Sequence, residues 1–395
     1  MQTRLFRKTN ESVSLLGYGM MRLPTLHADT DDIDYEKALA HIDYAYRHGV
    51  NYFDTAYMYH GGKSELFAGE ALSRYPRESF YLADKMPAWM IGDGGVSRAK
   101  EIFADQLNKC RVDYFDFYLL HALSRQTEFD KIYLEDGVLA YLKEEKAKGR
   151  IRHLGFSFHG SIAFFEYLMT VNDWDFCQIQ CNYLDWDKQS AKELYRIAEE
   201  HGVQLIIMEP VRGGALAKLN EAAVDILKAA EPEKSVASWA IRFVASLENV
   251  LCVLSGMSDM AQVEDNIATL TDFSPLTEQD HKTIKDALDA YAKDGVIGCT
   301  ACRYCFDCPK QIMIPELFAL YNAALSEERL PVSVGITEKE FSKRKEAFLS
   351  DYRAIPEGKR AEDCVKCGKC AEHCPQTIKI PERLAEIARI VSCLS

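Results

Sequence analysis

Residues 80–122 read FYLADKMPAWMIGDGGVSRAKEIFADQLNKCRVDYFDFYLLHA, and the fold follows from this stretch. FYLADKM and YFDFYLLHA are short apolar runs rich in aromatic residues, the composition of strands covered on both faces. Between them SRAKEIFADQLNKC spaces its apolar residues by three and four, the period of a helix that buries one stripe. A strand, a helix and a second strand in this order make a unit whose strands run parallel. The pattern continues in both directions. Upstream stand VSLLGYGMM (13–21) and NYFDTA (51–56), separated by the helical stretch YEKALAHIDYAYRHG. Downstream follow IRHLGFSF, FCQIQCN, VQLIIMEP and VLCVLSGM, with AKELYRIAEEHG and SVASWAIRFVAS among the intervening helices. Several helices run into a glycine placed as a C-cap.

Eight strand-helix pairs in about 260 residues have the size of a (β/α)8 TIM barrel, so the expected class is α/β. The alternative is an open doubly wound sheet. No G-x-G-x-x-G follows the first strand to receive a dinucleotide there, which favours the barrel. TEQDHKTIKDALDAYAK reads as a closing helix, and the strand pattern stops after Lys293. The expected division is a barrel over 1–292 and a small helical domain over 293–395, with PELFALYNAAL, EKEFSKRKEAFL and PERLAEIARIV as its helices.

The 395 residues are 48% hydrophobic and 27% charged, a balance that excludes a disordered chain. Lys and Arg number 47 against 60 Asp and Glu, a net charge of -13 that repels phosphate backbones and anionic lipid. Nucleic acid and membrane are therefore not expected partners. The apolar runs fall short of the roughly 18 residues a membrane helix needs. MQTRLFRKTNESVSLL lacks the continuous apolar segment of an export signal, and a cytoplasmic protein is expected.

Eight of the 13 cysteines lie between Cys299 and Cys374. CTACRYCFDCP carries Cys299, Cys302, Cys305 and Cys308; CVKCGKCAEHCP carries Cys364, Cys367, Cys370 and Cys374. Thiolates hold zinc or iron-sulfur clusters, and spacing separates the two. Three close cysteines and a fourth before proline make the bacterial ferredoxin run for [4Fe-4S] clusters, in which the fourth cysteine serves the other cluster. Two [4Fe-4S] clusters with crossed ligation are expected: Cys299, Cys302, Cys305 and Cys374 on one, Cys364, Cys367, Cys370 and Cys308 on the other. The first run has two residues rather than three between its last cysteines. Two zinc sites that only staple a small domain are the alternative.

In the barrel, DTAYMYHGGKSE places Asp54 at a strand end and Tyr59 in the loop after it. The third strand ends with Lys85 and the fourth with His121. Ionisable groups after successive apolar strands need partners, and strand C-termini face the active site of a barrel. These residues carry a resemblance to the aldo-keto reductases over roughly 1–290, through D-T-A-x-x-Y, the lysine and the histidine. The resemblance implies a barrel that binds NAD(P)H in extended form and interconverts a small carbonyl and an alcohol. It implies Tyr59 as general acid. A phenol with a pKa near 10 is a weak acid at neutral pH, so the resemblance implies that Lys85, paired with Asp54, lowers it, while His121 orients or polarises the carbonyl.

The resemblance also implies nucleotide contacts. Ser157 and Gln178 hold the carboxamide, with Phe158 where an asparagine is usual. Met208 stands in place of an aromatic that stacks on the nicotinamide ring. Gly213 and Gly214 let backbone approach the pyrophosphate. Ser255, Gly256 and Met257 lie near the phosphates, and Asp265 and Asn266 meet the adenine. NADP-preferring members place Lys or Arg in this segment, which here has none, with Gln262 where an arginine could stand, so NADH, or weak discrimination between the two, is as much expected as NADPH. Substrate contacts are expected from the mouth loops, with Trp89 and Met90 as an apolar wall and Arg125 facing an acid group.

The leading expectation is an oxidoreductase of aldo-keto reductase type carrying two clusters for electron transfer or structure. The alternative is an electron-transfer module whose clusters work with a redox partner protein while the barrel has lost or altered its nicotinamide activity.

Overall fold

The computed structural model describes residues 1–27, 31–188, 190–291, 296–305, 307–326, 330–331 and 337–394. The chain forms two compact units, one of Met1–Val211 with Ala237–His281, the other of Arg212–Val236 with Lys282–Ser395. The expected domain boundary at 292–293 and the start near Gly295 lie outside the described residues.

The first unit is a closed barrel of eight parallel strands in sequential order. They are β1 (Leu16–Gly19), β2 (Tyr52–Asp54), β3 (Tyr81–Pro87), β4 (Phe115–Leu123), β5 (Ile151–Phe158), β6 (Phe176–Gln180), β7 (Gln204–Met208) and β8 (Val250–Gly256). β8 closes on β1, with Gly256 beside Gly19. The principal outer helices are α1 (Tyr35–Arg47), α2 (Ser64–Leu72), α3 (Gly95–Cys110), α4 (Val138–Ala147), α5 (Ile162–Val171), α6 (Ala191–Glu200), α7 (Val236–Ala245) and α8 (Met260–Thr271). Polar caps fix three helix starts: Asp34, Ser161 and Asp259 accept the N–H of Lys37, Phe164 and Gln262, groups that have no partner inside the helix.

The expected first strand, VSLLGYGMM, divides into three. Glu11–Ser14 pairs antiparallel with Thr3–Phe6, Leu16–Gly19 enters the barrel, and Met20–Arg22 turns as a 3-10 helix. The hairpin carries Phe6 and Val13 into one buried cluster with Tyr52, Phe117, Phe176, Ile206 and Leu251, near the strand starts. A short apolar run shows no period that separates a plugging hairpin from a barrel strand.

In the second unit, Ile314–Ser326, Glu338–Arg353 and Ile380–Leu394 are helical, as the sequence indicates. They share a core of Ile297, Ile314, Leu317, Phe318, Tyr352, Leu384 and Ile387, against which Cys299, Cys305, Cys308, Cys364 and Cys374 pack. Among the described residues no helix is long and apolar enough to cross a membrane.

Candidate active site

Four polar side chains meet at the C-terminal ends of β2, β3 and β4. Parallel pairing puts Asp54 beside Ala83 and Lys85 beside Leu119, so the three strands point the same way and each runs further toward one mouth than the strand before it. Lys85 Nζ donates to Asp54 Oδ1 at 2.5 Å and to the Thr55 carbonyl at 2.7 Å. Lys85 and Asp54 are each 1% exposed, so each charge is stabilised chiefly by the other. Burial raises the Asp54 carboxyl above its usual range, and the Lys85 ammonium opposes that rise.

The same ammonium lies 4.8 Å from the Tyr59 ring centroid. Tyr59 is half-buried, in a loop that reverses sharply through His60 and Gly61 at positive φ. His121 is set edge-to-face with Tyr59 at 6.0 Å between ring centroids, and the Trp89 ring lies 5.0 Å from His121 on another side. Burial first, then the charges of Lys85 and His159, hold His121 well below the usual imidazole range. It is therefore neutral at neutral pH and keeps one N–H to donate. Sequence reasoning did not find the Thr55 carbonyl, because backbone acceptors leave no mark in residue identity. Of the expected wall, Trp89 and Met90 are half-buried, while Arg125 is exposed.

Next to this cluster, Ser157 on β5 and Gln178 on β6 stand side by side in register, each 2% exposed. Ser157 Oγ accepts the Ala122 N–H at 2.7 Å, which leaves its own proton to donate. Ala122 follows His121 and holds φ at 54°, an unfavourable backbone for alanine that surrounding structure sustains. Gln178 Nε2 donates to Met208 Sδ at 3.5 Å, and Gln178 Oε1 is buried without a protein partner. A buried acceptor of this kind suits an amide donor of a ligand. Met208 thus sits beside Gln178, where a ring was expected to stack.

At the end of β8, Asn266 Nδ2 donates to Ser255 Oγ at 3.0 Å, tying α8 to the strand. Gly256 is exposed, while Met257 is fully buried, its carbonyl accepting from the Tyr18 hydroxyl at 3.4 Å. Gln262 is exposed and hydrogen-bonds Asp259 through Nε2 at 2.6 Å, while Asp265 is half-buried on α8. Gly213 and Gly214 belong to the second unit. Gly213 has φ of 63°, and a Cβ there would stand 2.5 Å from the Thr300 carbonyl, between Cys299 and Cys302 in sequence.

The second unit gathers the cysteines in two groups. Cys299, Cys302, Cys305 and Cys374 line one cavity with Ile314, Phe318 and Ile380. Burial pushes the Cys305 thiol up to about 12, with Cys302 and Cys299 adding to the rise. Burial pushes Cys370 up to about 11, and its other neighbours are Cys308, Cys364 and Cys367. Ala301, Arg303 and Lys366, between the cysteines, hold positive φ, as do Gln311 and Thr377 just beyond them. Left-handed residues inside such turns aim successive N–H groups into a concavity, the backbone form that suits an anionic iron-sulfur cluster. The residues present therefore fit the clusters.

A repeat escaped the sequence reading. CPKQIMIPE (308–316) and CPQTIKIPE (374–382) share Cys, Pro, two isoleucines, Pro and Glu in step. Each makes the same turn, Gln311 N–H to the Cys308 carbonyl at 2.9 Å and Thr377 N–H to the Cys374 carbonyl at 3.0 Å, and each leads into a helix. The signal lay in the residues after each Cys-Pro, beyond the spacing of the cysteines.

The pattern of the Aldo/keto reductase family matches residues 15–289. The chain belongs to the aldo/keto reductase family. It is an oxidoreductase by that membership, and a second match, to the 4Fe-4S dicluster domain, covers residues 298–379. Among its relatives is the Escherichia coli protein named NADH-specific methylglyoxal reductase, 25% identical over 303 residues, which span 66% of this chain and 91% of that one. Another is the Bacillus subtilis uncharacterized oxidoreductase YqkF, 26% identical over 313 residues, 72% of this chain and 96% of that one. The solved aldo-keto reductase AKR11C1 from Bacillus halodurans, in its holo form, superimposes with a TM-score of 0.59 at 26% identity, covering 75% of this chain and 99% of that one.

Proposed function

We propose that the protein is an NAD(P)H-dependent reductase of a small carbonyl compound, reversible toward the alcohol, with Tyr59 as general acid and two [4Fe-4S] clusters in crossed ligation. The observation that carries the reading is the Lys85 ammonium, paired to Asp54 at 2.5 Å and 4.8 Å from the Tyr59 ring. A fixed positive charge beside a phenol favours its ionised form, so the proton is released more readily to a developing alkoxide. The nicotinamide nucleotide, when bound, supplies the hydride. Ser157 donates and Gln178 Oε1 accepts at its carboxamide. Neutral His121 donates a hydrogen bond that orients the carbonyl oxygen toward Tyr59, and Trp89 covers His121 and limits water there.

Two features favour NADH over NADPH. The first relative above is named for NADH specificity. Here the α8 cap is a carboxylate, Asp259, hydrogen-bonded to Gln262, and an anion at that place disfavours an added phosphate. Cys299, Cys302, Cys305 and Cys374 would hold one cluster and Cys364, Cys367, Cys370 and Cys308 the other, each supplying one-electron redox capacity when assembled. Cys367 is the exposed ligand, on which a redox partner protein would find the shortest path.

The test is turnover of methylglyoxal and related carbonyls by anaerobically purified protein with each nucleotide. Tyr59→Phe is expected to lower kcat by about 10²- to 10⁴-fold with nucleotide affinity kept. Iron and acid-labile sulfide of about eight each per chain are expected. Failure of both nucleotides to bind refutes the reductase reading; zinc in place of iron refutes the clusters.

A further inference from the structure

The catalytic lysine sits on a strand that has outrun its neighbour. β2 ends at Asp54, paired with Ala83, while β3 continues to Pro87. Backbone groups of alternate residues point to the same side of a strand. The Ala83 carbonyl accepts the Thr55 N–H on the β2 side at 3.0 Å, so the N–H and carbonyl of Lys85 face that same side, where no strand remains. Side chains take both. The Asp84 carboxyl accepts the Lys85 N–H at 2.8 Å, and Gln106 Nε2 on α3 donates to the Lys85 carbonyl at 2.9 Å.

Gln106 is itself held from two directions. The Tyr118 hydroxyl on β4 donates to its carbonyl oxygen, and its Nε2 also lies 3.2 Å from Glu65 Oε1 on α2. Glu65 is paired with Lys109 on α3 at 3.3 Å. Glu65, Asp84, Gln106 and Tyr118 are all fully buried, in the layer between barrel and helices where apolar residues ordinarily pack. Burial raises both carboxyls, and Asp84, where the charge of Glu65 adds to the rise, is the one raised well above the usual range.

We propose that Gln106, backed by Glu65 and Tyr118 and joined by Asp84, is a positioning unit for Lys85, fixing the backbone that aims the ammonium at Asp54 and Tyr59. The unit touches neither substrate nor nucleotide. It rests on the reading of Tyr59 as proton donor, and it adds that the donor's acidity is set from outside the barrel. Without the Gln106 donor the Lys85 carbonyl must find another partner, and the strand end shifts with it. Small displacements of a charge beside a reacting group change rate far more than binding.

The experiment uses the full-length, cluster-loaded protein with Gln106→Leu and Tyr118→Phe. Gln106→Leu is expected to lower kcat by about 10- to 100-fold and to move the basic limb of its pH profile, with KM and nucleotide Kd within about twofold. Tyr118→Phe is expected to change kcat and profile in the same sense by less. The Tyr59 titration, followed by NMR of ¹³C-labelled tyrosine against Tyr59→Phe, is expected to shift in both variants. Because it needs no turnover, this reading separates failure of the positioning unit from failure of the reductase assignment. An unshifted Tyr59 titration in folded variants overturns the proposal, as does a fall in kcat with an unmoved profile. If Gln106→Leu does not fold, Tyr118→Phe decides by the same two readings.

Discussion

Lys85 and Asp54 form a buried ion pair whose removal is asymmetric. Lys85→Met leaves the Asp54 carboxylate buried without its counter-charge, and is expected to cost about 3 kcal/mol or more of stability, read by urea unfolding, besides abolishing turnover. Adding Asp54→Asn is expected to restore much of the stability and none of the activity, which separates the two effects. His121 gives a pH dependence of definite sign. Its folded pKa lies below the unfolded value of about 6.5, so the unfolded chain binds more protons in acid. Its contribution to stability is thus fully present above about pH 6.5 and declines as pH falls toward the folded value. Unfolding midpoints at pH 8 and pH 5 are expected to differ in that direction, and less so in His121→Asn. That Asp54, Lys85 and His121 stand near strand ends was legible in the sequence because ionisable residues interrupt apolar runs there; Tyr59, in a loop, was singled out only through the family resemblance. Gln106 and Asp84 were not, since each reads as an ordinary polar residue of a helix or strand.

At the level of elements, α2 and α3 approach so closely that Gly69 leaves no room for a side chain: a Cβ there would stand 2.2 Å from the Lys109 carbonyl. Gly69→Ala must push the helices apart, and a loss of about 1–3 kcal/mol in a denaturant titration is expected, against the usual gain for alanine in a helix. The same movement would carry Glu65 and Lys109 from Gln106, so a reduced kcat is expected with it. The eight barrel strands were readable as elements because each is a compact apolar run. The N-terminal hairpin was not, since Val13 and Ser14 join a run that continues into β1. Only the turn after Ser14 divides them, and tertiary closure of the barrel end requires it.

Across the whole molecule, residues 212–236 group with 282–395 rather than with the barrel that precedes and follows them in sequence. Gly213 against Thr300 and the Asn220 side chain, which donates to the Ala290 carbonyl at 3.0 Å, are examples of what binds them there. Cluster assembly contributes folding free energy to a unit with a modest core. Anaerobic iron removal is therefore expected to open both 212–236 and 282–395 to limited proteolysis while the barrel fragments persist, a pattern that mass spectrometry of the digest reads directly. Protection of 212–236 in iron-free protein would count against that grouping. The amino-acid sequence by itself determined the parallel barrel and the two cysteine runs, because both are written in local spacing, of apolar residues for one and sulfurs for the other. Tertiary structure alone decided that Lys85 has outrun its neighbouring strand and needs Gln106, and that segment 212–236 coheres with the cysteine-bearing helices. Those outcomes depend on how far one strand extends past another and on which backbones meet closely, quantities that arise only when distant segments pack.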